Sequence, residues 1–282
     1  MSQRGFNTES YPLQRDYAAS SRLNLQSYLW RDSLEYTIHP TIPSLAEDAR
    51  VADIATGTGI WLMQLAQELK SSLARLDGFD IDISQCPPQQ WMPLNVTFHA
   101  WNAFDETPTE MHGQYDLVHI RLFMINIKNN DASALIRNVH RMLKPGGWLQ
   151  WEEVDNTNNS IVTTDASIKT PAMECLLEYI HEGSKRHRGG DEWLLGLPQT
   201  LSANGFQNVT MQSHTDPPML RRWFYEAWLL TLQEFSTTKL KGTEQEATNL
   251  TLIGKSHVEC KQGAAIQLGK LICIAQKIES SG

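Results

Sequence analysis

The sequence lacks an excess of basic residues. Its 282 residues contain 24 Lys plus Arg against 32 Asp plus Glu, which gives a formal net charge of −8 at pH 7. Proteins that bind nucleic acid or anionic lipid carry clustered basic charge that neutralises phosphate groups. The charge balance therefore argues against nucleic acid and membrane partners. We expect the chain itself to be a monomer or weak dimer.

Cysteine is scarce and dispersed. The four cysteines form no CxxC pair and no Cys/His pair with the spacing of a zinc site. The sequence therefore predicts neither a disulfide framework nor a bound metal, and it is typical of a reducing compartment. The four residues are Cys86, Cys175, Cys260 and Cys273.

Long hydrophobic runs are also absent. The densest apolar run, Trp223 to Leu232, is interrupted by Glu226 and is far shorter than the roughly 20 residues of a membrane-spanning helix. The segment Met1 to Pro12 is polar and has no apolar region of the kind found in a secretory signal. We therefore expect a cytoplasmic protein.

The residues that are present predict an α/β protein. Hydrophobic residues make up 41% of the chain and charged residues 20%, as in globular domains. In the first half, apolar runs typical of strands alternate with apolar positions at helical spacing, which predicts a parallel, doubly wound sheet. The predicted strands are Arg50 to Ala55, Ala74 to Phe79, Val96 to Ala100, Tyr115 to Ile120 and Trp148 to Glu152, and the predicted helices are Ile60 to Leu69 and Ala132 to Leu143, the latter capped by Asp131.

The rest of the chain predicts a helical cap and helical insertions. Asp16 to Tyr36 has helical spacing, which predicts one amphipathic helix or a helix pair. We therefore expect an N-terminal helical cap over residues 1–45 and a ligand-binding domain over 46–282, with insertions at about 156–204 and 217–262. The polar stretch Asn156 to Thr170 has no clear period. Beyond it, the pattern predicts helices over Pro171 to His187, Leu194 to Ala203, Leu220 to Phe235 and Glu244 to Glu259, and strands over Asn208 to His214 and Ala264 to Ile278.

The strongest local signal is the segment Asp53 to Gly59, DIATGTG. A strand that ends in a glycine turn and leads into a helix lets backbone approach a ligand closely and presents unpaired N–H groups to it. Such a turn suits a nucleotide-like ligand. A dinucleotide fingerprint that begins at Gly57 would need glycine where Leu62 stands, so NAD fits poorly and a dehydrogenase is the third alternative.

A carboxylate follows the second predicted strand. Asp80 stands at the end of Gly78-Phe79-Asp80, where it can accept hydrogen bonds from both hydroxyls of a ribose. Asp82, two residues further on, is the competing candidate for this role.

Four segments, in this order, resemble the motifs of the class I S-adenosylmethionine (SAM)-dependent methyltransferases: Asp53 to Gly59, Gly78 to Asp80, Tyr115 to Val118 and Leu143 to Gly147. Within that family the chain looks most like fungal methyltransferases that act on small molecules of secondary metabolism. The start, Asp16 to Gln26, is also similar to that of the gliotoxin-type dithiol thiomethyltransferases.

The resemblance implies a Rossmann-like fold with a seven-stranded sheet whose last strand is antiparallel, and SAM across the carboxyl ends of the first strands. It implies that a turn holds the methionine part of SAM, that an acid holds the ribose, and that residues after the third strand hold the adenine. Ala55 stands where the family more often has glycine, and Asn102 where it often has an acid. The implied cofactor-binding residues are Asp53, Ala55, Gly57, Gly59, Asp80, Ile81, Trp101, Asn102, Ala103 and Arg121.

Methyl transfer from SAM depends mainly on alignment, because the sulfonium already activates the methyl group. A general base is needed only when the acceptor is protonated, and a thiol with a pKa of about 8.5 is partly ionised at neutral pH. The candidate bases are Glu153, Asp155 and His119, which lie at the carboxyl ends of the fifth and fourth strands. Glu152 cannot pair with Glu153, because neighbours on a strand face opposite sides.

The function predicted from the sequence is SAM-dependent methyl transfer to a small secondary metabolite, with a dithiol natural product as the expected acceptor and S-adenosylhomocysteine as the product. O- or N-methylation of a small metabolite is an alternative. A methyltransferase-fold pericyclase or regulator that binds SAM without transferring its methyl group is another.

Overall fold

The computed structural model describes residues 12–188 and 190–279, so most of the polar start, residues 1–11, lies outside the described residues. The helices are α1 (Tyr17–Leu34), α2 (Ile60–Leu69), α3 (Ser133–Met142), α4 (Pro171–Arg188), α5 (Glu192–Leu195), α6 (Leu197–Ala203), α7 (Pro218–Lys239) and α8 (Glu244–Lys261). The strands are β1 (Arg50–Ile54), β2 (Arg75–Asp80), β3 (Val96–Ala100), β4 (Tyr115–Arg121), β5 (Leu143–Thr163), β6 (Phe206–His214) and β7 (Ala264–Lys277).

The strands form one seven-stranded sheet in the order β3-β2-β1-β4-β5-β7-β6. The pairs among β1 to β5 are parallel, whereas β7 runs antiparallel to both β5 and β6. This arrangement confirms the predicted α/β class and the antiparallel last strand. It also brings the carboxyl ends of β1, β2 and β4 to one edge, where open α/β sheets bind their ligands.

Helices cover both faces of the sheet. Apolar side chains of α3, α5 and α6 pack on one face, and those of α1, α2 and α7 pack on the other. Because side chains alternate along a strand, residues on the second face include the polar Asp53, His119 and Glu152 among apolar neighbours. A polar cluster therefore lies beneath α1 and α2.

The N-terminal helix begins and ends on local signals. The Asp16 side chain caps α1 by accepting a hydrogen bond from the Ala19 N–H at 2.8 Å, and the helix ends where Glu35 adopts a left-handed conformation. The helix predicted from Asp16 to Tyr36 is thereby confirmed.

The prediction for β5 was too short. The strand runs beyond Glu152 to Thr163, and its last part, Ser160 to Thr163, pairs with Ala264 to Gln267 of β7. The polar stretch that followed the predicted strand is thus partly strand. This extension packs against α4, α7 and α8 around a third apolar cluster.

Two smaller predictions also need correction. The helix predicted from Leu194 to Ala203 is two helices, α5 and α6, which are separated at Gly196. The N-cap of α3 is Ala132 rather than Asp131, although the Asp131 carboxylate does accept a hydrogen bond from the Ser133 N–H at 2.9 Å.

None of the helices in residues 12–188 and 190–279 combines the length and the apolar character needed to cross a membrane.

Candidate functional site

A cavity of about 610 Å³ opens at the carboxyl ends of β1, β2 and β4. Helix α1 contributes to its wall through Leu23, Gln26 and Ser27. Most of the residues that the sequence assigned to a cofactor line this one cavity: Asp53, Ala55, Gly57, Asp80, Ile81, Trp101, Asn102, Ala103 and Arg121.

The glycine turn between β1 and α2 is left-handed at several positions. Gly57 has φ of +57°, and a Cβ placed there would contact only Leu23, at 3.5 Å, so the turn leaves room for a ligand. Gly59 does not line the cavity. Its φ is +75°, and a Cβ there would lie 2.1 Å from the Phe98 ring, so this glycine is needed for packing. Ala55 adopts φ of +57° without being a glycine.

Asp80 lies at the end of β2 and supports the turn. Its carboxylate accepts hydrogen bonds from the Gly57 N–H at 3.0 Å and from the Asp82 N–H at 3.2 Å. Burial raises the pKa of Asp80, and these hydrogen bonds, together with the positive charge of Arg15, offset part of the rise. Asp82 is held outside the cavity lining, where it caps a short turn and pairs with Arg15 at 3.4 Å.

The wall next to β3 combines an aromatic ring with polar groups. Trp101 is buried edge-on against Phe79, with ring centroids 5.9 Å apart, and its indole N–H has no hydrogen-bond partner among the described residues. The Asn102 side chain accepts from the Phe104 N–H and donates to Asp105, which fixes its amide at the rim. Together, the Asp80 carboxylate, the glycine turn and this apolar wall form a site that fits a nucleoside.

Four charged side chains meet on the cavity side of the sheet, where β1, β4 and β5 lie side by side. His119 Nδ1 lies 2.7 Å from Asp53 Oδ1, and His119 Nε2 lies 3.8 Å from Glu152 Oε2. Arg121 Nη1 lies 3.7 Å from the same Glu152 oxygen and Arg121 Nη2 donates to Ser27 Oγ at 2.8 Å. The four charges sum to zero when His119 is protonated, which allows them to be buried together.

The neighbours of His119 determine its protonation. Burial alone would lower the pKa of His119, but the hydrogen bond to Asp53 and the negative charge of Glu152 outweigh it and raise the pKa above the ordinary value. Burial alone would raise the pKa of Glu152, but His119 and Arg121 bring it below the ordinary value. Both shifts favour an imidazolium between two carboxylates.

Glu153 and Asp155, the other two candidate bases, do not line the cavity. Both are buried, and each holds backbone in place. The Glu153 carboxylate accepts from the Phe123 N–H at 2.8 Å and from the Trp151 indole at 2.9 Å. Asp155 accepts from the backbone and hydroxyl of Thr157. The structure therefore brings only His119 of the three candidates to the cavity.

Several residues of the site were not predicted. Leu122 lines the cavity with a positive φ of +55°, a conformation that sequence does not reveal for leucine. Ser27 links α1 to the sheet by accepting from Arg121 and donating to Gln64. Thr58 of the turn donates to Asn24 of α1 at 2.6 Å. These partners are distant in sequence, so only the fold brings them together.

No group of three or more His, Cys, Asp or Glu side chains within the described part of the chain is arranged to hold a metal ion.

The family model for a methyltransferase domain matches residues 24–225. Among curated proteins, the methyltransferase grgD of Penicillium sp is 35% identical over 112 residues, which cover 38% of this chain and 39% of that protein. The N-methyltransferase gliN of Aspergillus fumigatus is 28% identical over 144 residues, which cover 51% of this chain and 50% of that protein. The chain thus matches half or less of the length of these relatives.

Solved structures share the fold. Phosphoethanolamine N-methyltransferase 2 of Haemonchus contortus, in complex with S-adenosyl-L-methionine, matches with a TM-score of 0.54 and 16% sequence identity, covering 93% of this chain and 57% of that one.

Proposed function

Because the chain belongs to the methyltransferase domain family, we propose that it transfers a methyl group from SAM to a small-molecule acceptor. One observation carries this proposal. The glycine turn after β1, the carboxylate after β2 and the Trp101–Ala103 wall after β3 line a single cavity at the carboxyl edge of the sheet. Each element supplies one chemical requirement of a nucleoside linked to an amino acid.

The residues at the cavity have separate tasks in this proposal. Asp80 accepts hydrogen bonds from the ribose, Trp101 and Ala103 pack on the adenine, and the N–H groups of the turn receive the amino-acid part. Bound SAM supplies a methyl group that its sulfonium charge has already activated. The protein aligns the acceptor and excludes water, with α1 closing one side of the cavity.

The choice of methyl acceptor depends on whether a side chain of the cavity wall can remove a proton from it. Each carboxylate that lines it already accepts hydrogen bonds from the protein: Asp53 from Thr56 and His119, Asp80 from Gly57, and Asp131 from Ser133. Because protein donors already engage these carboxylates, we do not assign any of them as the general base. This favours an acceptor that reaches the site already nucleophilic, and we propose a thiol that reacts as its thiolate.

An amine is the second candidate acceptor. Relatives such as gliN are named N-methyltransferases. Arg121, the guanidinium at the cavity wall, disfavours a nearby ammonium and so favours the unprotonated amine, just as it favours a thiolate over a thiol.

The test is turnover on a panel of small reduced dithiols, amines and phenols, with the methylated products identified by mass spectrometry. We expect methylation of thiols, with a rate that rises with pH as the acceptor thiol ionises. Methylation of amines alone would refute the thiol proposal and leave methyl transfer intact. SAM binding with no methylated product on any acceptor would contradict transfer and favour a pericyclase or regulator.

A further inference from the structure

His119 is buried, and both of its ring nitrogens lie beside carboxylates. Its ring is 1% exposed and stacks on Trp61, with centroids 3.7 Å apart and planes within 2° of parallel. Both ring nitrogens face carboxylate oxygens, of Asp53 and of Glu152. A neutral imidazole has one bare nitrogen, and here that nitrogen would point its lone pair at a carboxylate. The doubly protonated ring donates to Asp53 and directs its second N–H toward Glu152, whose oxygen lies 3.8 Å away, beyond hydrogen-bond distance, so the attraction there is electrostatic.

The positive charge of His119 matters because His119 contacts the Asp53 carboxylate, which lines the cavity. Asp53 Oδ1 lies against His119 and Oδ2 accepts from Thr56 Oγ1 at 2.6 Å. A carboxylate has about four lone-pair sites, so each oxygen keeps capacity to accept from a ligand in the cavity that Asp53 lines. The orientation of this carboxylate is thus fixed from the protein side by two donors.

The groups that face His119 come from three strands and two helices. β1 supplies Asp53 and β5 supplies Glu152, while Arg121, on the same strand as His119, also pairs with Glu152. Helix α2 supplies the uncharged Trp61. Helix α1 reaches the cluster through Ser27, which binds Arg121. Loss of the imidazolium charge would leave two buried carboxylates that share Arg121, with Lys270 as a further cation acting on Glu152.

We propose that His119 is a positioning residue, a permanently protonated imidazolium that keeps the Asp53 carboxylate oriented at the cavity wall for the ammonium group of the cofactor. The inference rests on the proposed function, because it concerns how the amino-acid part of SAM is held. It assigns to His119 a role other than that of the general base, since an imidazolium has no lone pair with which to take a proton.

The first test reads the ring directly. In the full chain labelled with ¹⁵N-histidine, the signals of His119 are assigned by their loss in His119→Gln. We expect both ring nitrogens to be protonated throughout the range from about pH 6 to 8.5, across which a free histidine loses its charge. A single bare nitrogen, or titration of His119 in this range, would overturn the inference.

The second test reads the cofactor site by calorimetric titration with S-adenosylhomocysteine. We expect His119→Gln to weaken binding about tenfold or more. The double variant His119→Gln with Glu152→Gln removes one positive and one negative charge, so it should recover part of the loss. His257→Gln, a change at an exposed residue of α8, should bind as the wild type does.

The outcomes distinguish a failure of the positioning role of His119 from a failure of the proposed function. Wild-type affinity in His119→Gln, or no recovery in the double variant, would show that the charge of His119 does not position the site. If the wild-type protein binds neither SAM nor S-adenosylhomocysteine, the proposed function fails, whereas the NMR spectrum still decides the protonation of His119 by itself.

Discussion

Three non-glycine residues at the cavity wall have left-handed backbone that L-residues disfavour. One is Asn129, and the other two are Ala55 and Leu122. Ala55 and Leu122 each follow a central strand, β1 or β4, at the point where the chain turns along the cavity. Such strained positions tend to occur where surrounding structure fixes a binding site, and each costs of the order of 1–2 kcal/mol.

Replacement of Ala55 by glycine tests this strain. Glycine adopts φ of +57° without a Cβ clash, so Ala55→Gly should raise the free energy of unfolding by up to about 1 kcal/mol, after the larger backbone entropy of glycine in the unfolded chain is included. Chemical denaturation measures the change. Ala247→Gly, in the exposed part of α8, is the matched control and should lower stability by about 0.5–1 kcal/mol. A loss of stability in both variants would contradict the account.

Asp80 is predicted to be the ribose acid. Asp80→Ala removes a carboxylate that supports the Gly57 N–H and would receive ligand hydroxyls, so binding of S-adenosylhomocysteine should weaken about tenfold or more. Asp82→Ala should change affinity only slightly, because Asp82 lies outside the cavity lining. The opposite ranking of the two variants would move the ribose site to Asp82.

Glu153 and Asp155 should not act as bases. Their carboxylates bind backbone and lie away from the cavity, so Glu153→Gln and Asp155→Asn should retain turnover within about tenfold. Loss of a true general base removes about 10²- to 10⁴-fold. Steady-state assays at saturating substrate distinguish these cases, and a drop of that size in a folded variant would identify a base that the structure leaves outside the cavity.

At the scale of elements, a buried ion pair joins β7 to the start of α7. Lys270 Nζ donates to Asp216, which also accepts from Ser33 Oγ of α1 at 2.5 Å. The ammonium lies 3.6 Å from the centroid of the Phe224 ring, and burial lowers the pKa of Lys270 to about 8, although Asp216 counteracts the fall. The Lys270–Asp216 pair therefore links α1 and α7 to the sheet. Burial of its two charges costs desolvation free energy.

Lys270→Met should destabilise the protein by about 3–5 kcal/mol, because it leaves the Asp216 charge buried and unpaired. The double variant Lys270→Met with Asp216→Leu should regain a substantial part of this loss. Arg222→Met breaks an exposed pair within α7 and should leave the stability close to that of the wild type, because water screens such a pair. Urea unfolding measures all three, and equal losses in the single and double variants would show that the ion pair itself is not the cause.

The extension of β5 shows why some elements escaped prediction. Residues 156–160, Asn-Thr-Asn-Asn-Ser, have no apolar alternation, and the pairing with β7 is irregular between Asp155 and Ser160. The strand continues because Ser160 to Thr163 pair with Ala264 to Gln267 of β7. Tertiary pairing of this kind overrides local preference. The break at Gly196 has a local cause instead, because Pro198 lacks the N–H that would continue the preceding helix and lies in the first turn of α6.

At the scale of the whole molecule, the sequence predicted the order of strands and helices, because each central strand is an apolar run bounded by turn residues. It also indicated Asp53, Gly57 and Asp80 as neighbours, since carboxyl ends of parallel strands meet at one edge. It could not show that Asp53, His119 and Glu152 form one charged cluster, because the contacts join three strands that are far apart in sequence.

The most direct test of the central claim is calorimetric titration of the wild-type protein with SAM and with S-adenosylhomocysteine. Saturable binding of both, with one site per chain and loss of binding in Gly57→Val, is the predicted result, because valine cannot adopt the left-handed turn and would fill the cavity wall. Absence of binding by either compound at millimolar concentration would contradict the assignment of this cavity to SAM.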